Sequence, residues 1–145
     1  MDLVLIARRL QPLQQLADLL ENKYKVNVIC ISCDLSGINA TQEIVKALNG
    51  RGISMLIYNA AVSYIGPFIK NSAENHSQAA QVNMITPLNM VHLFGEKMVT
   101  KGKGAVVLMT SMAGLQGIGI TEFSILKCTS FIVVSLTSEK QNNIV

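Results

Sequence analysis

Ser111 and Lys127 stand sixteen residues apart, and a hydroxyl with an ammonium facing a bound nucleotide could polarise a carbonyl and fix a ribose. Asn83 lies four residues before Pro87. Proline has no N–H and clashes with the carbonyl four residues back, so in an α-helix the Asn83 carbonyl is freed and could hold an ordered water. A kinked helix with no chemical role fits the same spacing. Arg8 and Arg9 offer guanidinium forks that suit phosphate, or they solvate a helix start. Asp34, in Asp34-Leu35-Ser36, could accept from an adenine amino group or end a strand as a turn residue. Asn59-Ala60-Ala61 is small enough for backbone to approach a ligand, and a tight turn explains it equally well. Cys30 and Cys33 form a C-x-x-C, but no second pair or nearby histidine completes a metal site, so coincidence is preferred.

The elements that would position these residues alternate short apolar runs with longer helical periods, which is the pattern of a parallel α/β sheet. Leu3–Ala7 reads as a buried strand, followed by a helix with Pro12 in its first turn and Leu13, Leu16, Leu19 and Leu20 at helical spacing. Lys25–Ile31 is the next strand. Asn39 or Thr41 can cap a helix bearing Ile44, Val45 and Leu48, stopped by Gly50 and Gly52. Ser54–Tyr58 is a third strand, with a loop through Gly66 and Pro67 after it. A long helix spans about Ser72 to Val99, Gly104–Thr110 is a fourth strand, and a last helix covers about Glu122 to Ser138. Right-handed crossovers predict one open sheet of four strands with helices on both faces, forming a single block over residues 1–145. The ligand crevice of such a sheet lies beyond the carboxyl ends of its strands, where Arg8, Arg9, Asp34, Asn59 and Ser111 fall. A basic residue after the first strand accommodates a ribose 2′-phosphate, whereas an acid there prefers the free hydroxyl.

The bulk properties exclude several classes. The chain has 145 residues, half of them apolar and 14% charged, which suits one packed domain rather than a disordered tail. Its net charge of +3 is scattered, with no basic stripe for nucleic acid. Mean hydropathy is +0.38, yet no apolar run approaches the roughly 20 residues of a spanning helix. The order of MDLVLIARR, apolar before basic, is the reverse of a secretory signal, and the absence of a disulfide framework suits the cytoplasm.

Taken in order, LVLIARR, CDLS, LIYNAA, VN-x₃-P, GAVVLMTSMAGLQG and FSILK resemble the short-chain dehydrogenase/reductase family. The resemblance implies a partial Rossmann-type doubly wound sheet that carries out reversible hydride transfer between NADP(H), favoured over NAD(H), and a small carbonyl or alcohol substrate. It implies that Arg8 or Arg9 meets the 2′-phosphate, Asp34 and Leu35 the adenine, and Asn59, Ala60 and Ala61 the middle of the cofactor. Asn83 would hold a relay water through its carbonyl, Ser111 would orient the substrate carbonyl, and Lys127 would bind the nicotinamide ribose. The long helix and the last helix correspond to the family's usual dimer face.

Two features depart from the family. Phe123 stands four residues before Lys127, where the family has its acid/base tyrosine, and the gap from Ser111 is one residue short. Losing a positioned acid typically costs about 10² to 10⁴ in rate. The chain also begins at what resembles the family's second strand, without the first strand and the glycine-rich turn that seats a pyrophosphate. The C-terminal strands are likewise expected to be missing. Gly114-Leu115-Gln116-Gly117-Ile118-Gly119 has the wrong spacing to replace that turn and reads as a substrate-side loop. The expectation is therefore a truncated oxidoreductase, weak or inactive as written. The alternatives are a non-catalytic binding or interaction protein, which pairs through open sheet edges or long helices, and an incomplete gene product. The sheet would either leave a gap between its first and third strands, close directly across it, or borrow a strand from a second copy.

Overall fold

The computed structural model describes residues 2–109 and the backbone of residues 132–137. The chain divides into two compact units, residues 1–50 and residues 51–145.

In the first unit, β1 (Leu3–Ala7), α1 (Leu10–Tyr24), β2 (Val28–Ser32) and α2 (Ala40–Leu48) follow one another. β1 and β2 pair in parallel from Leu3↔Val28 to Ala7↔Ser32, so their carboxyl ends are flush. α1 buries Leu13 and Ala17, one turn apart, while Leu16 and Leu19 stay exposed; the buried stripe is narrower than the leucine spacing predicts. Lys25 ends the helix in the left-handed conformation (φ 53°), its N–H donating to the Glu21 carbonyl at 3.0 Å. α2 buries Ala40, Ile44 and Leu48 on one line, with Ile44 fully enclosed. Asn39 sits at its N-cap without a side-chain capping bond, and Thr41 lies buried inside the first turn, so neither caps it as predicted.

The second unit contains β3 (Met55–Tyr58), a 3₁₀ turn (Phe68–Lys70), α3 (Ala73–Ala80), a π turn (Gln81–Ile85), α4 (Thr86–Thr100), β4 (Lys103–Leu108) and β5 (Ile132–Thr137). β3 pairs in parallel with β4, from Met55↔Ala105 to Tyr58↔Leu108. Ser72 caps α3 as a serine should, its Oγ accepting from the Asn75 N–H at 3.1 Å. Met90, Phe94 and Met98 form the buried stripe of α4, which packs with β4. Gly104 makes that contact close: a Cβ there would collide with the Met98 side chain.

Two expectations change. The predicted last helix does not extend over residues 132–137, which form β5, antiparallel to β4 from Lys103↔Thr137 to Leu108↔Ile132. The run Ile132-Val133-Val134 explains the preference, because β-branched side chains lose rotamer freedom in a helix and suit a pleated surface. Among the described residues the ladders form two sheets, β1–β2 and β3–β4–β5, instead of one. Among the described residues no ladder joins β1 to β3. No helix among the described residues is long and apolar enough to cross a membrane.

Candidate functional site

In the first unit the chain leaves β1 at Arg8 and Arg9, both exposed, and leaves β2 at Ser32. The parallel register sets these exits side by side. The Ser32 hydroxyl donates to the Arg8 carbonyl at 3.0 Å, and the Cys33 N–H donates to the Ala7 carbonyl at 3.1 Å. Asp34 turns the chain back on itself, with Oδ1 accepting from the Ser36 N–H at 2.9 Å and the Ser36 hydroxyl at 2.8 Å. Those two bonds hold its carboxyl below the ordinary carboxylate range, with a smaller contribution from the Arg8 charge. Arg8 and Asp34, two of the residues singled out from the sequence, are thus near enough to feel each other. Leu35 is half-buried beside them.

Cys33 is buried, and its thiol faces the Ala40 carbonyl (3.7 Å) and a Glu43 carboxylate oxygen (3.8 Å). Burial and then the Glu43 charge push its pKa up, which makes it a poor nucleophile. Among the described residues no group of three His, Cys, Asp or Glu side chains could hold a metal ion.

In the second unit the loop Asn59-Ala60-Ala61 leaves β3 and is fastened at both ends. Asn83, buried within the π turn, reaches Val62 with its whole side-chain amide: Oδ1 accepts from the Val62 N–H at 3.0 Å and Nδ2 donates to the Val62 carbonyl at 2.8 Å. On the other side of the loop, the buried Tyr58 hydroxyl donates to the Val82 carbonyl at 2.6 Å. The Tyr58 carbonyl accepts from the Met109 N–H at 2.9 Å. Burial drives the Tyr58 phenol well above its ordinary pKa, so it stays a hydroxyl donor. The sequence reading credited Asn83 with its backbone carbonyl. The structure adds its side chain, which ties down the loop thought to approach a ligand. Tyr58 was missed; the signal was its place in β3, in phase with buried Leu56, where a buried phenol needs a partner.

Farther along, Phe68 stacks on His76 with ring centroids 4.0 Å apart, and the Tyr64 hydroxyl bonds the Gln78 side chain. Ser111, Phe123 and Lys127 lie outside the described residues.

The family model for short chain dehydrogenase matches residues 1–143. The chain belongs to the short-chain dehydrogenase family. It is 26% identical to the 7beta-hydroxysteroid dehydrogenase of Mediterraneibacter gnavus over 148 residues, covering 98% of this chain and 56% of the relative. Among solved structures, a short-chain dehydrogenase from Sphingobium yanoikuyae in complex with NADPH superposes with a TM-score of 0.81 at 26% identity, covering 88% of this chain and 51% of that one. The bulky-bulky ketone specific alcohol dehydrogenase from Comamonas testosteroni gives a TM-score of 0.82 at 26% identity, covering 88% and 52%. This short-chain dehydrogenase chain thus spans about half the length of the relatives it matches.

Proposed function

We propose that the chain supplies the NADP(H)-binding and carbonyl-orienting part of a short-chain oxidoreductase acting on bulky ketones or secondary alcohols. The observation that carries this is the exposed Arg8–Arg9 pair beside an ionised Asp34 at flush strand ends. It is supported by the NADPH complex of one structural neighbour and the bulky-bulky ketone specificity of another.

In this reading Arg8 or Arg9 pairs with the ribose 2′-phosphate, and the Asp34 carboxylate with Leu35 receives the adenine. Asn59, Ala60 and Ala61 lie along the middle of the cofactor, with small side chains that leave the backbone approachable. When bound, the nicotinamide nucleotide supplies the hydride. The Ser111 hydroxyl orients the substrate carbonyl, Lys127 holds the nicotinamide ribose, and the Asn83 carbonyl keeps a water for proton relay. Phe123 has no proton to give, so turnover is slow. We place this activity in the cytoplasm, on a single nucleotide-binding domain over residues 1–145. Titrating the full chain with NADPH and with NADH, followed by nicotinamide fluorescence, tests the reading; equal or undetectable binding of the two sinks it.

A second reading has its own observation. Among the described residues β1 is paired only with β2, and β3 only with β4. An uncharged open edge such as Leu3–Ala7 is a template for another strand, so the chain could act by pairing with itself or a relative. Light scattering after size exclusion decides it: a monomer at all concentrations removes this reading.

A further inference from the structure

Pro87 stands two residues after the π turn and is buried. Within that turn the Thr86 N–H donates to the carbonyl of Gln81, five residues back. In the same register the next carbonyl, that of Val82, would look to residue 87, and proline has no N–H. A buried carbonyl without a donor is costly. Val82 is buried, and its carbonyl is met by the Tyr58 hydroxyl at 2.6 Å. The donor that proline lacks therefore falls on Val82, one residue before the position that α-helical counting indicates.

We propose that Tyr58 is a positioning residue, whose hydroxyl replaces the N–H absent from Pro87 and so holds the π turn where Asn83 can fasten the Asn59–Ala61 loop. The geometry is compact. Val82 and Asn83 are consecutive, and they grip the residues on either side of a three-residue loop: Tyr58 before it and Val62 after it. Lose the phenol, and the turn is free to shift toward ordinary α-helical register, which would swing Asn83 away from Val62. The consequence for cofactor binding rests on the nucleotide reading above; the lock itself does not.

The test uses Tyr58→Phe, Pro87→Ala and the double variant of the full chain, with hydrogen exchange followed by NMR and NADPH titrated separately. Tyr58→Phe should speed exchange of the Val62 amide and the Asn83 side-chain amide by about tenfold and lower the melting temperature by about 4 °C. Pro87→Ala supplies an N–H to the Val82 carbonyl, so adding it to Tyr58→Phe should return both exchange rates to within about twofold of Pro87→Ala alone. Unchanged exchange in Tyr58→Phe, or no relief in the double variant, overturns the lock. Should Tyr58→Phe fail to fold, folding of the double variant supports the proposal, and failure of both overturns it. NADPH affinity that falls with Tyr58→Phe and returns in the double variant places the lock in cofactor binding. Absence of NADPH binding to the unmodified chain removes the nucleotide reading while the exchange data still judge the lock.

Discussion

The first unit presents Arg8, Arg9 and Asp34 on the surface, whereas the second encloses Tyr58 and Asn83. The Asp34 carboxylate bonds Ser36, two residues away, whereas the Tyr58 and Asn83 side chains bond across 24 and 21 residues of chain. The exposed set can be rearranged by solvent and salt, and its selectivity comes from charge. The buried set cannot move without leaving donors and acceptors unsatisfied, so its contribution is fixed geometry.

Substitutions in the two units should therefore differ in kind as well as size. The largest effect lies in residues 51–145: Phe123→Tyr should raise ketone reduction with NADPH by about 10²-fold or more, measured as NADPH consumption. An unchanged rate means that the missing proton donor is not what limits turnover. Next, Asn83→Ala deletes two bonds and leaves the Val62 amide and carbonyl unmet, which should cost about 3 kcal/mol in urea unfolding. A cost under about 0.5 kcal/mol would show that the enclosed set is no more rigid than the exposed one. In the first unit, Arg8→Ala with Arg9→Ala should leave stability unchanged and weaken NADPH about tenfold relative to NADH. Equal weakening of both cofactors would assign the arginines to general charge.

The smallest effect is that of Asp34→Asn. Its carboxyl titrates below the unfolded value of about 3.9, so its stabilising effect is present above that pH and fades as pH falls through the folded pKa. The group is exposed, so Asp34→Asn should cost at most about 0.5 kcal/mol at pH 7 and nothing near pH 2. Urea midpoints at the two values check it, and a loss that persists at pH 2 would mean the amide disturbs the turn itself.

Much of this was legible in the chain. The apolar runs gave the strand ends, so Arg8 and Asp34 fall just after β1 and β2 and Asn59 just after β3. Pro87 drew attention to the right stretch of helix. What could not be read was the register: spacing alone does not distinguish four-residue from five-residue hydrogen bonding, so it pointed to the Asn83 carbonyl and gave no sign that the Val82 carbonyl takes a side-chain donor. The partner of the Val82 carbonyl comes from 24 residues away, beyond any local pattern. Residues 132–137 misled for the opposite reason. A short apolar run has no period that separates helix from strand, and β-branching decided it.

The π turn has a last consequence, for changes of length. Val82, Thr86, Met90, Phe94 and Met98 are buried at a constant interval of four residues, slightly more than a helical turn. The turn over residues 81–85 houses one residue more than an α-helix would, keeping Val82 in line with the stripe that follows. Deleting any single residue there would straighten the backbone yet rotate α3 against α4 by about 100°. Exchanges of side chain along this segment are graded, but its residue count has only one value that keeps both helices facing inward.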